Sequence, residues 1–178
     1  LTLYGESIGM SFDLTMHADH YKTFRAPDDP EKYNISAHKL AIRNTLIRWG
    51  SRPAVRILDV ANEAEVRGKE PGSGSPATGH VSPGRFGEMM DVARSVPHTC
   101  LVGASVSGGG DFPGDVTKNY QALFRSAKGE ILLPHFARNG GWGAKEGARG
   151  ADLRRAIPGL PVHHQEPARN GHAGTQSG

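Results

Sequence analysis

Two glutamates close apolar runs. Glu63 follows residues 54–61 and Asn62, and Glu166 ends the run 160–166 beside Gln165. Carboxyl groups carried by two separate strands suit glycoside hydrolysis. One, as the acid, protonates the leaving oxygen; the other, as carboxylate, attacks the anomeric carbon or activates water. Glu65 competes with Glu63, but Glu63 is the one adjacent to the asparagine. Other polar groups sit at the ends of further apolar runs: Asp13, Thr15 and His17, then Asp19, near the first, and His135 and Arg138 near the fourth.

The histidines raise a competing chemistry. His17 and His20 have a loose metal-like spacing, and His163 and His164 are adjacent. Zinc needs three or four convergent ligands with oriented partners behind them. The H-x-H pair used on an early strand by metal hydrolases of barrel type is missing, so no metal site is expected. A metal-dependent hydrolase would require His17, His135 and one of His163 and His164 to converge. Adjacent strand residues face opposite ways, so only one of that last pair can line an interior, and the other should pack against a helix.

Five strand-length runs must position these groups: residues 10–17, 54–61, 101–106, 130–136 and 160–166. Helical patterns alternate with them. Ala37, Leu40, Ala41, Ile47 and Trp49 give a rough stripe over 36–49, stopped by Gly50. Ser82-Pro83 supplies a cap and a first-turn proline, and Phe86, Met89, Met90 and Ala93 repeat at helical spacing before Pro97. Val116, Tyr120, Leu123, Phe124 and Ala127 make the clearest amphipathic face, closed by Gly129. A fourth helix over 144–156 reads as weak, because Gly147 and Gly150 interrupt it. Strand–helix repetition predicts a parallel sheet, with polar groups gathered at strand C-terminal ends.

Composition narrows the classes. Twenty-one basic and 18 acidic residues mix along 178 positions for a net charge of +3, an ordinary solvated surface with no nucleic-acid footprint. No apolar run spans a bilayer, so no membrane partner is expected. Cys100 is the only cysteine; it allows no internal disulfide and reads as a buried thiol. Gly108-Gly109-Gly110 leads into Asp111-Phe112-Pro113 rather than a helix, so it reads as a loop, and no cofactor is expected. Residues 66–81 are rich in Gly, Ser and Pro, and read equally as an insertion or as a long loop over the site. The polar tail 168–178 should fray. Oligomeric state and compartment, secreted or cytoplasmic, are left open.

The segment Ile57-Leu58-Asp59-Val60-Ala61-Asn62-Glu63 resembles the fourth strand of the large retaining glycosidase superfamily called clan A, and His163-His164-Gln165-Glu166-Pro167 resembles its seventh. Two further strands lie between them, as that order requires. The resemblance covers residues 9–167 and implies a (β/α)8 TIM-type barrel. About five of its parallel strands, the third to the seventh, would be present in one domain, residues 1–167. A complete barrel typically takes about 250 residues, and the chain begins with Leu1, so a fragment is expected, marginally stable and poorly active by itself.

The resemblance also implies Glu63 as general acid/base and Glu166 as nucleophile. Asn62 would bind the sugar 2-hydroxyl, and His17, His135, Gln165 and Trp142 would line the substrate site, with a poly- or oligosaccharide as partner. The sequence departs from the family where an aromatic residue often precedes the nucleophile, here Gln165, and where a tyrosine often follows the strand-six histidine, here Ala137. A non-catalytic carbohydrate-binding barrel is the alternative on the same fold.

Overall fold

The computed structural model describes residues 6–16, 25–26, 29–62, 64, 81, 83–107, 116–136 and 142–164. Among them, seven strands and four helices follow in the order β1 (Phe12–Thr15), β2 (Arg25–Ala26), β3 (Asp29–Tyr33), α1 (Ile35–Trp49), β4 (Val55–Asp59), α2 (Pro83–Arg94), β5 (Leu101–Gly103), β6 (Ser105–Ser107), α3 (Val116–Leu123), β7 (Leu133–His135) and α4 (Trp142–Ala156).

Apart from the antiparallel pair β2–β3, the strands pair in parallel. β1, β4 and β5 form one sheet in that order, and β6 and β7 form a second. β5 and β6 are one run of chain interrupted only at Ala104, so it serves both sheets. The Glu130 N–H also donates to the Val102 carbonyl at 2.7 Å, ahead of β7. A single parallel bridge, Leu132 to Val162, continues the sequence of neighbours. The architecture among the described residues is therefore mixed α/β with parallel strands and no closed barrel. The expected strand 160–166 is reduced there to that bridge. The antiparallel pair β2–β3 is not legible in the sequence; its Pro30 and charged residues carry no strand signature.

Alternation separates the two faces of these strands. Leu58, Val60, Val102, Ala104, Val106 and Leu132 enter the main core with Phe86, Met89 and Met90 of α2 and Tyr120 of α3. The opposite face carries a small apolar cluster of Ile57, Ile131 and Leu133. α2 buries the residues its spacing predicts, Phe86, Met89, Met90 and Ala93, and Phe86 stacks on Phe124 with ring centroids 5.6 Å apart. Cys100 is buried as expected. Burial pushes its thiol up to about 11, so it carries no thiolate near neutral pH.

Two helices correct the sequence reading. In α1 the side chain of Asn34 caps the first turn by accepting the Ala37 N–H at 3.0 Å. Its buried stripe is His38, Ile42 and Leu46, whereas Leu40 and Ile47, expected inside, are exposed. A histidine on that stripe conceals it from hydropathy, although spacing at i, i+4 and i+8 is fully helical. α4 is not weak: it runs unbroken from Trp142 to Ala156. Gly150 costs it some helix propensity but admits His164, whose Nε2 would lie 3.0 Å from a Cβ at that position.

Gly103 is required by close approach. A Cβ there would meet the Ile131 carbonyl oxygen at 2.7 Å. Gly103→Ala should therefore lose about 1–3 kcal/mol of stability, because backbone must move to admit the methyl. A urea denaturation midpoint equal to that of the wild type would show that the strand yields without cost.

Candidate functional site

The C-terminal ends of the parallel strands bring polar groups onto the face that also holds Ile57, Ile131 and Leu133. Two residues on from Ile57, Asp59 ends β4; two on from Leu133, His135 ends β7. Both are buried, as is Ser105 between them at the start of β6. Asp59 Oδ1 accepts the Ser105 N–H at 3.0 Å and the Ala61 N–H at 3.2 Å. Asp59 Oδ2 is buried and makes no hydrogen bond among the described residues.

Burial pushes the Asp59 carboxyl up from 3.8 to about 6; the hydrogen bonds from Ser105 and Ala61 and the charge of His135 oppose that rise without cancelling it. Sequence patterning treats Asp59 only as part of an apolar strand. An acid inside the run Val55–Ala61 is itself the signal, because a lone buried carboxylate is costly unless something compensates it.

β1 and the segment after α4 contribute a second contact on the exposed side. His163 Nε2 lies 2.7 Å from Asp13 Oδ2, which accepts its proton in a hydrogen bond across 150 positions of sequence. The pair is part-exposed, so it stabilises by less than about 1 kcal/mol. His164 turns the other way, with its ring 5.5 Å from the Phe136 ring and against Gly150 of α4. The two adjacent histidines thus turn to opposite sides, as expected, although the strand there is reduced to the bridge at Val162.

The chain leaving β4 is tightly held. Val60 donates its N–H to the Gly103 carbonyl at 2.8 Å, and the Val60 carbonyl accepts from His38 Nε2 at 2.7 Å. Ala64 donates to the Ser105 carbonyl at 2.9 Å and accepts from the Val81 N–H at 3.0 Å. Asn62 lies between these anchors, half-buried, just past the C-terminal end of β4. The Ala64–Val81 hydrogen bond also ties together the two ends of the glycine-rich stretch, read equally as an insertion or as a loop over the site, whose residues 65–80 lie outside the described ones.

Of the anticipated site residues, Asn62 lies just past the C-terminal end of β4 and His135 ends β7, with the β5–β6 run paired to both strands. Glu63, Glu166, His17 and Gln165 lie outside the described residues. Trp142, expected in a loop, instead begins α4. Among the described residues no three His, Cys, Asp or Glu side chains group as they would around a metal ion, and no helix is long and apolar enough to cross a membrane. No family model and no curated protein matches the chain.

Proposed function

We propose that the protein is a glycoside hydrolase that cleaves O-glycosidic bonds of a poly- or oligosaccharide with retention. In this reading the chain supplies the third to seventh strands of a TIM-type barrel. The observation that supports it is the placement of Asn62. It follows a buried strand, β4, that pairs in parallel with β1 on one side and β5 on the other, and the C-terminal ends of parallel strands are where such barrels build their sites.

Glu166 attacks the anomeric carbon while Glu63 gives its proton to the departing glycosidic oxygen, leaving a glycosyl ester on Glu166. Glu63, now a carboxylate, takes a proton from water, and the resulting hydroxide displaces Glu166. Each displacement inverts the anomeric centre once, so the product retains the original configuration. The two carboxyl groups must then stand about 5–5.5 Å apart. Asn62 binds the 2-hydroxyl, a contact that strengthens as the ring approaches an oxocarbenium ion.

Incubating the full-length protein with a 2-fluoro glycoside bearing a good leaving group should trap the ester. Mass spectrometry of the digest should find the label on Glu166. Hydrolysis with inversion, or undiminished turnover by Glu166→Gln, would overturn the mechanism.

A further inference from the structure

We propose that His38 and Asp59 form a buried brace that positions Asn62, so that two residues from opposite sides of one strand set its contact with substrate. The inference rests on the glycosidase reading for what Asn62 contacts, and on geometry for the brace itself.

The geometry is specific. His38 belongs to α1, behind the sheet, and is fully buried in the stripe that faces the core. Its Nε2 reaches the carbonyl of Val60 at 2.7 Å. A carbonyl only accepts, so Nε2 carries the hydrogen and the histidine donates. On the other side of the strand, Asp59 takes the N–H of Ala61. The single peptide group that joins Val60 to Ala61 is thereby held at both its carbonyl and its N–H, one residue ahead of Asn62. The same Asp59 oxygen holds Ser105 of β6, whose carbonyl in turn takes the Ala64 N–H. Asn62 is thus enclosed in a short ring of hydrogen bonds running Asp59, Ala61, Ala64 and Ser105.

Neither brace residue is placed to touch a ligand. His38 lies beneath the sheet, and every Asp59 oxygen is buried or bonded to backbone. Both therefore act through Asn62 and are positioning residues. A hydrophobic residue would pack as well at position 38, and a serine would cap Ala61 as well at position 59. Burying a histidine and an acid there is costly unless the backbone they hold must be held accurately.

Two substrates separate positioning from mere stability. The full-length protein and its variants should be assayed on an aryl β-glycoside and on the matching 2-deoxy glycoside. If the brace acts through Asn62 on the 2-hydroxyl, His38→Leu and Asp59→Ala should lower kcat/KM on the first by about tenfold and leave the second little changed, the signature of coupled sites. His38→Gln and Asp59→Asn, which keep a donor and an acceptor at the same places, should recover most of the loss.

Equal losses on both glycosides, or no loss on either, would overturn the brace. Amide hydrogen exchange reads it without any substrate. Exchange at Ala61 and Ala64 should quicken in the Leu and Ala variants and stay slow in the Gln and Asn variants. A full-length wild-type protein that hydrolyses neither glycoside would overturn the glycosidase reading, and unchanged protection at Ala61 and Ala64 would then overturn the brace as well.

Discussion

Tyr120→Phe should lower the stability of the protein by about 2–4 kcal/mol, read as a fall in the urea midpoint at unchanged slope. The Tyr120 hydroxyl lies between two strands. It donates to the Ala104 carbonyl at 3.1 Å and accepts the Leu133 N–H at 2.7 Å. All three groups are buried, and Tyr120 itself is fully enclosed. The substitution changes no backbone and little volume. It leaves a donor and an acceptor buried with nothing to pair them, and each such loss is worth about 1–3 kcal/mol.

The hydroxyl also accounts for the break between β5 and β6. Ala104 gives its carbonyl to a side chain instead of to a strand, and pairing resumes at Ser105 with Leu133 as partner. If Tyr120→Phe keeps wild-type stability, the gap must close by direct strand pairing or admit a water. Slowed exchange at Leu133 in the variant would separate the first outcome from the second.

The second large effect is a pH dependence carried by Asp59. Its carboxyl has an ordinary value of 3.8 in the open chain and about 6 in the folded protein, raised by burial. The folded state therefore binds the proton more tightly than the unfolded one. That contribution is complete below the unfolded value and is lost as pH rises through the folded one. A difference of this size between the two states corresponds to about 3 kcal/mol.

Asn at position 59 does not titrate and keeps an oxygen for Ala61 and Ser105. The stability of the wild type relative to Asp59→Asn should therefore fall by about 3 kcal/mol between about pH 4 and about pH 7. Comparison with the variant removes the titration of every other group. Denaturation curves whose difference does not vary with pH would show that Asp59 is not burdened by burial. The same sign means that the Asp59 contribution favours the folded state on mild acidification, against the usual behaviour of paired carboxylates.

Much of the framework is legible in the sequence because its signals are local. Ser82-Pro83 with Phe86, Met89, Met90 and Ala93 marks α2 within a dozen residues, and the helix runs Pro83–Arg94. The apolar run after Gly50 marks β4, and Asn62 follows it in the structure as in the sequence. The order of strands and helices follows from the same patterns, and parallel pairing follows from that order, because a helix between strands is long enough for a crossover. His135 is also visible, as a polar residue ending an apolar run.

What the sequence conceals are residues whose meaning depends on distant partners. Hydropathy counts Asp59 as an interruption of a strand. The fold makes it a junction, because Ser105 arrives 46 positions later. His38 blurs the stripe of α1 until Val60 is placed above it, 22 positions away. Tyr120 counts as one more apolar face residue until its hydroxyl meets two strands at once. Asp13 and His163 stand 150 positions apart and meet only when the first strand and the last described segment face one another. Periodicity reports which side of an element is apolar. It carries no information about which buried polar group will find a partner, since that is settled only when separate elements pack and their donors and acceptors come within reach. The sequence by itself therefore determined the succession of the parallel strands and the helices between them, and the place of Asn62 at the end of β4; the tertiary structure alone decided what holds Asn62 there.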